Sequence, residues 1–225
     1  MSLQINLIDV GAFGGLNELW SVHHYLIDKL LLIDPRFPSG ASSRCGGNLE
    51  IFSGAIYDVE GPRTFYHYEK QACDSLFRIT SDLTSILGPG DYSRFKLKKT
   101  STLNCTRLET LLHLKPFTFD FLKVDTQGAD FNVLKSMSLY INQLVGLQIE
   151  LYFKPFYEDS VLFEEANKFL VEAGFTCFGA IRKNSKLFND LVYLKLDSPK
   201  VHKLGLIKKL FGVTNESVPY SRTCN

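Results

Sequence analysis

The chain has 225 residues, 45% of them hydrophobic and 22% charged, with a formal net charge of +1. That is material for one α/β domain with a sizeable core, and it excludes bulk electrostatic attraction to nucleic acid. Five cysteines, without a CxxC pair, favour reduced thiols in a cytosolic compartment over a disulfide framework or a zinc site. No apolar run approaches the roughly 18 residues of a membrane span. A core strand begins by residue 5 with no signal peptide ahead of it, so a soluble, cytoplasmic protein is expected.

Ile5-Asn6-Leu7-Ile8-Asp9-Val10 reads as a buried strand. Gly11, Gly14 and Gly15 follow, and glycine permits a sharp turn and close approach of a ligand to the backbone. Leu16, Leu19, Trp20, His23, Leu26, Ile27 and Leu30 then recur with a helical period. Strand, glycine turn and helix together make an anion-tolerant pocket at the carboxyl edge of a sheet, although an ordinary tight turn has the same ingredients. Leu30-Leu31-Leu32-Ile33-Asp34 reads as a second buried strand ending in a carboxylate. An acid about 20 residues beyond the glycine turn is where nucleotide-binding folds accept hydrogen bonds from ribose hydroxyls, and Asp34 fits that spacing.

Residues 36–48 read as loop. Leu49 to Asp58 forms a third strand and its exit, and Gly61-Pro62 a turn. Thr64 to Glu69 alternates and suggests a hairpin arm. Residues 71–92 suggest loop and short helix, a flap over a site. Phe95 to Thr100, with Lys96, Lys98 and Lys99, resembles an exposed edge strand more than a phosphate site. Thr106 to His113 is a short helix candidate. Phe119 to Val124 is a fourth strand ending in Asp125, Thr126-Gln127-Gly128 turns the chain, and Ala129 to Tyr140 is helical. Val145 to Tyr152 is a fifth strand carrying Glu150. Asp159 or Ser160 is suited to cap a helix that Gly174 ends. Phe175 to Ile181 and Leu191 to Leu196, joined around Lys183-Asn184-Ser185, make an antiparallel closing pair.

The pattern adds up to a doubly wound, mostly parallel seven-stranded sheet. In such sheets ligands bind outside the carboxyl ends of the strands, so one cleft is expected there, with a cofactor at the first two strand ends and chemistry at the fourth and fifth. From Ser198 the sequence changes character. Val201, Leu204, Ile207, Leu210 and Phe211 share one helix face, opposite Lys200, Lys203, Lys208 and Lys209. Residues 1–197 are therefore read as a single domain and 198–225 as a basic amphipathic tail. That tail would dock on the domain or on a second subunit, or lie on an anionic membrane surface.

Three stretches resemble the FkbM-type S-adenosylmethionine-dependent methyltransferases. Leu7-Ile8-Asp9-Val10-Gly11-Ala12 followed by Gly14 is similar to the first cofactor motif. Phe121 to Asp130, with Val133-Leu134, is similar to the family's most distinctive motif. Ile149-Glu150 through Tyr157, with the helix into Gly174-Phe175, is similar to its C-terminal portion. Two residues depart from the pattern: Phe13 replaces the usual asparagine and Asp130 a glutamate. The resemblance implies a class I methyltransferase (Rossmann-like) fold with strand order 3-2-1-4-5-7-6. It also implies O-methylation of a hydroxyl on a sugar, glycan or other small molecule. S-adenosylmethionine would contact Asp9, Gly11, Ala12, Gly14, Asp34, Ala55 and Ile56.

Methyl transfer from a sulfonium needs an aligned nucleophile relieved of its proton. Asp125 is assigned the base and Glu150 the orienting partner, with their roles exchangeable. Lys123, two residues before Asp125 and on the same sheet face, would hold Asp125 ionised, orient the substrate, or form a structural ion pair. No metal is assigned. His23 and His24 point in different directions on a helix, and Asp125 with Glu150 is a thin ligand set for Mg²⁺. The alternatives are an NAD-dependent oxidoreductase, against which the missing G-x-G-x-x-G spacing argues, and a non-catalytic cofactor-binding domain.

Overall fold

The computed structural model describes residues 4–38, 48–90, 92–181 and 187–213. Cys45, Cys224, Gly40 and the Lys183-Asn184-Ser185 connection lie outside these residues. Among the described residues, ten strands form two sheets. The main sheet runs in the order β3 (Leu49–Phe52), β2 (Ile27–Ile33), β1 (Ile5–Val10), β7 (Phe121–Val124), β8 (Gly146–Tyr152), β10 (Phe188–Leu194), β9 (Thr176–Ala180). Counted within this sheet alone, that is the expected 3-2-1-4-5-7-6. Neighbours are parallel from β3 to β8, and β10 is antiparallel to both β8 and β9. Two-residue β4 (Ala55–Ile56), long β6 (Leu97–Thr106) and β5 (Gly61–Tyr68) make a small second sheet. The expected hairpin arm is β5. The lysine-bearing stretch of β6 is exposed and pairs with β5 on one side only, because β4 reaches only Cys105 and Thr106.

Side-chain alternation sends the central strands' residues to two faces. Ile8, Val10, Leu122, Val124, Leu147 and Ile149 point to the face covered by α3 (Leu108–His113), α4 (Asp130–Ser136) and α5 (Phe163–Glu172). Ile5, Leu7, Phe121, Val192 and Leu194 point to the other face. There Gly146 makes room, since a Cβ on it would lie 2.7 Å from Leu194 and 3.1 Å from Phe121. Higher on this face the residues turn polar. Asp9, Lys123 and Gln148 lie side by side in register, and Glu150 faces Asp190 one step nearer the carboxyl edge.

Two helices differ from expectation. The first is short: α1 (Glu18–Val22), capped by Asn17, ends at His23. Leu26 closes a 3₁₀ turn, while Ile27 and Leu30 belong to β2. An apolar strand following directly on a helix had extended the helical period. Neither Asp159 nor Ser160 caps α5; its N-cap is Leu162, without a side-chain cap bond. Cys73, Cys105 and Cys177 are buried free thiols. Among the described residues no helix is long and apolar enough to cross a membrane.

The segment beyond residue 197 contributes to the core. In α6 (Val201–Leu210), Leu204 and Ile207 are buried in the cluster with Ile5, Leu7 and Trp20. Phe211 stacks on Phe121 at 5.5 Å and meets Trp20 edge-on at 5.8 Å. Two of the four lysines assigned to the opposite face, Lys200 and Lys203, hold the buried Asp120 at 2.7 and 2.6 Å. Asp120 also accepts the Asn6 amide at 2.8 Å, so it ties β1 and the start of β7 to α6. Because Leu204 and Ile207 are core residues, Leu204→Ala or Ile207→Ala should cost about 2–5 kcal/mol of stability. Truncation after Asp197 should give a protein that unfolds at markedly lower temperature, and thermal melts of the three variants check this.

Candidate active site

The cleft lies at the carboxyl edge of the main sheet. It has three hollows that meet at Gly11 and Asp125, both of which line all three. The first is bounded by Ile33, Asp34, Arg36, Ala55, Ile56 and Thr126. The second, about 280 Å³, holds Gly14, Gly15 and Asn17 above Lys123, Gln148 and Asp190. The third, about 460 Å³, has Asp125, Gln127, Glu150 and Tyr152 among its lining, with Phe13, Phe95, Phe156 and Phe188 around them. The segment read as a flap is one wall: Asp74 and Leu76 border the first hollow, Lys70, Ala72 and Cys73 the third. It is pinned to residues 156–158 by Thr80 N–H to Phe156 C=O at 3.0 Å and Glu158 N–H to Arg78 C=O at 2.7 Å.

The residues expected around a cofactor divide into three sets. Gly11, Asp34, Ala55 and Ile56 meet at the first hollow, and Gly14 opens to the second. Asp9 and Ala12 are buried, with 0% and 2% exposure. Gly11 also meets a constraint from the protein's own backbone. Its φ of +84° favours glycine, but a Cβ there would lie 1.8 Å from the Asp125 carbonyl oxygen. The close approach is therefore between the β1 turn and the end of β7. The amides of Gly11 and Ala12 are both donated to the Ile33 carbonyl, at 2.8 and 3.1 Å.

Asp34 is 1% exposed and clamped by Arg36. The Arg36 amide and Nε each donate to Oδ1 at 2.8 Å, and a terminal guanidinium nitrogen donates to Oδ2 at 2.7 Å. The same guanidinium covers the Phe13 ring at 3.8 Å and donates to the Gln71 carbonyl at 2.6 Å. A carboxylate offers about four acceptor sites, so a ligand hydroxyl at Asp34 would share it with Arg36.

Lys123 reaches Asp9 on the neighbouring strand, Nζ to Oδ1 2.9 Å, and both are buried. Burial opposes the charge on Lys123, but the carboxylates of Asp9, Asp125 and Asp190 outweigh it and hold the ammonium above its ordinary range. The ion pair Lys123 forms is thus with Asp9 rather than with Asp125.

The two candidate catalytic acids are bridged by Gln127. Its Nε2 donates to Asp125 Oδ1 at 2.7 Å and to Glu150 Oε2 at 3.1 Å. The Tyr157 hydroxyl donates to its Oε1 at 3.0 Å, which orients the amide. The Ser75 hydroxyl holds its carbonyl at 2.6 Å. Gln127 has φ +57°, a conformation in which non-glycine residues are strained. Glu150 is 2% exposed and accepts the Tyr152 hydroxyl at 2.5 Å. Burial first, and then the charges of Asp125 and Asp130, push its carboxyl well above the ordinary range. Asp125 is only partly buried.

Asp130, the departure from the family's glutamate, shapes the turn between the acids. It accepts the amides of Thr126 at 2.7 Å and Gly128 at 2.9 Å. Burial, helped by Asp125 and opposed by these amides, pushes its carboxyl up to about 7. The sequence reading missed Gln127, Tyr157 and Arg36. Gln127 sat in the recognised turn between two strand-end acids, and Arg36 two residues from Asp34. Nothing local marked Tyr157, which meets the site only through the fold.

Seven buried side-chain polar atoms have no hydrogen-bond partner among the described residues, and Asp9 Oδ2, Thr126 Oγ1 and Gln148 Oε1 are three of them. Thr126 lines the first hollow and Gln148 the second. Such atoms suit a ligand rich in polar groups, and Gly14 and Gly15 leave open space beside them.

A doubly wound sheet in this strand order, closed by an antiparallel strand and carrying its cleft at the carboxyl edge, is a Rossmann-like methyltransferase fold. Residues 38–177 match the family model of the Methyltransferase FkbM domain, more than half of the chain, and the chain belongs to that family. The crystal structure of methyltransferase FkbM from Methylobacillus flagellatus KT superposes with a TM-score of 0.50 at 11% identity. The superposition takes in 86% of this chain and 44% of that one, a likeness of fold. A comparison with curated proteins gave no match. Membership of a methyltransferase family leaves the nicotinamide-dependent alternative without support.

Two outcomes follow from this geometry. Gly11→Ala, which drives a Cβ into the Asp125 carbonyl, should unfold or melt far below the parent. Gly14→Ala, which meets no atom within 4 Å, should cost only the strain of positive φ, about 1 kcal/mol; comparable melts for the two would contradict the placement of Gly11. Asp130 binds a proton more tightly folded than unfolded, so its contribution to stability is full below about pH 4 and is lost as pH rises through about 7. The melting temperature should therefore fall between about pH 4 and 7 and level off above that, and Asp130→Asn should flatten that dependence.

Proposed function

We propose that the chain is an S-adenosylmethionine-dependent O-methyltransferase acting on a hydroxyl of a sugar, glycan or other small molecule. The observation that carries this reading is the position of Asp125, a partly exposed carboxylate at the meeting point of all three hollows. S-adenosylmethionine supplies an activated methyl group on a sulfonium. Asp34, shared with Arg36, would accept from its ribose, beside Ala55 and Ile56. Gly14 and Gln148 would flank its amino-acid end, and the 460 Å³ hollow would take the acceptor.

The chain's own work is alignment and proton removal. Bound S-adenosylmethionine would supply the methyl group and leave as S-adenosylhomocysteine, while Asp125 would align the acceptor hydroxyl and take up its proton. Proton transfer to a positioned group contributes typically 10²–10⁴-fold. Asp125 suits the base because Gln127 fixes one of its oxygens at 2.7 Å. Glu150, favoured in its neutral form, suits orientation instead.

The test pairs two variants. Asp34→Ala should weaken S-adenosylmethionine binding roughly 10- to 100-fold, the loss of a charge-assisted hydrogen bond, read by calorimetry. Asp125→Asn should lower turnover about 10²- to 10⁴-fold with affinity within a few-fold, read by radiolabelled methyl transfer to a hydroxyl library. Parent turnover in both Asp125→Asn and Glu150→Gln would defeat the mechanism. Tight cofactor binding with no transfer to any hydroxyl would favour the non-catalytic alternative.

A further inference from the structure

The 460 Å³ hollow is polarised. Its carboxyl groups, Asp125 and Glu150, are at the sheet edge, while Lys70 and Arg94 line it on segments outside the main sheet. Those two segments are joined by the Lys70 amide donating to the Arg94 carbonyl at 2.9 Å, which sets the two residues side by side. Both are exposed. Among the described residues neither ammonium nor guanidinium has a carboxylate partner. Arg94 instead lies over the Phe95 ring at 4.7 Å, and Phe95 lines the same hollow. Both charges are felt at the Cys73 thiol, which also lines it.

Among the described residues, other exposed or half-exposed cations do find acids: Arg36 with Asp34, Lys98 with Glu69, Lys135 with Asp58. Two adjacent unpaired cations at the border of a concave, aromatic-walled hollow concentrate anions there. The aromatic walls supply flat apolar surface against which a ring can lie.

We infer that the acceptor carries an anionic group, a carboxylate or phosphate, which Lys70 and Arg94 hold at one side of the hollow while its hydroxyl reaches Asp125 at the other. This rests on the reading of the hollow as the acceptor site. It narrows the substrate class from hydroxyl compounds in general to acidic ones. Specificity then has two parts, charge recognition by Lys70 and Arg94 and the geometry of the hydroxyl at Asp125.

The probes are matched pairs: glucuronate against glucose, glucose 6-phosphate against glucose, and 4-hydroxybenzoate against 4-hydroxybenzyl alcohol. Binding to the full chain is followed by NMR titration with and without S-adenosylhomocysteine. At least one acid should bind about tenfold or more tighter than its neutral partner, as expected for a charge-assisted contact, and added salt should weaken it. The carboxylate and phosphate arms show which anion is preferred. In the double variant Lys70→Ala/Arg94→Ala the acid should bind no better than its partner, with S-adenosylhomocysteine affinity unchanged. Lys168→Ala on α5 should keep the preference. Equal or better binding of the neutral members, binding of no acid, or a preference that survives the double variant overturns the inference. Loss of S-adenosylhomocysteine binding by the parent chain would instead strike the methyltransferase reading, and the pair ratios would still report on the anion site.

Discussion

The cleft depends on one buried ion pair, Lys123 to Asp9. Parallel strands covered on both faces normally carry apolar side chains, and β1 and β7 do so until their last turn of the pleat. There a lysine and an aspartate face each other across neighbouring strands at 2.9 Å. Removing one partner of such a pair leaves a buried charge uncompensated, a penalty of about 3–5 kcal/mol. The pair therefore fixes β1 against β7 at the level where both strands end. Above it stand Gly11 and Asp125, so close that only glycine fits. The same pair sets the electrostatics of the floor, because the Asp125 carboxylate contributes to holding Lys123 charged.

From that floor the acids are positioned by the turn after β7. Gly128 has φ +101°, and a Cβ on it would meet Tyr157 at 2.8 Å. Tyr157 can thus pack against the turn and place its hydroxyl on Gln127. Asp130 gathers the amides of Thr126 and Gly128, which compensates the backbone for the strained conformation of Gln127. Strain of this kind persists where the surroundings over-determine it, and here a hydroxyl, two carboxyl groups and a serine side chain all bear on one glutamine.

Much of the fold was legible because it rests on local signals. Apolar runs ending in Asp34, Asp125 and Glu150 marked three parallel strands and their carboxyl edge, and the direct link between the last two strands marked the antiparallel closure. What failed was of two kinds. Leu26, Ile27 and Leu30 satisfied a helical period by chance of adjacency, so β2 was read too short and α1 too long. The residues from 198 read as an amphipathic tail whose partner stays open between the domain, a second subunit and a membrane surface, because no local signal shows that Asp120, eighty positions earlier, needs Lys200 and Lys203, or that Trp20 and Phe121 need cover. The candidate acids were legible for the same reason as the strands that carry them. Gln127, Tyr157 and Arg36 were not, because their roles arise from side chains that meet only after the sheet and its wall are assembled.

The two strand-end acids show how one sheet edge can supply two kinds of carboxyl group. Asp125 and Glu150 end adjacent parallel strands and share a single glutamine amide, so sequence position alone makes them equivalent. Burial separates them. Glu150 lies deeper, and burial first, then the neighbouring acids Asp125 and Asp130, disfavour its charged form, outweighing the Tyr152 hydroxyl that donates to it. Asp125 opens to all three hollows. Pairs of titratable groups whose environments push them apart mark a division of labour between proton acceptor and hydrogen-bond partner. Depth alone thus makes two strand-end acids differ in burial and in the balance of charge around them, with no change in residue type.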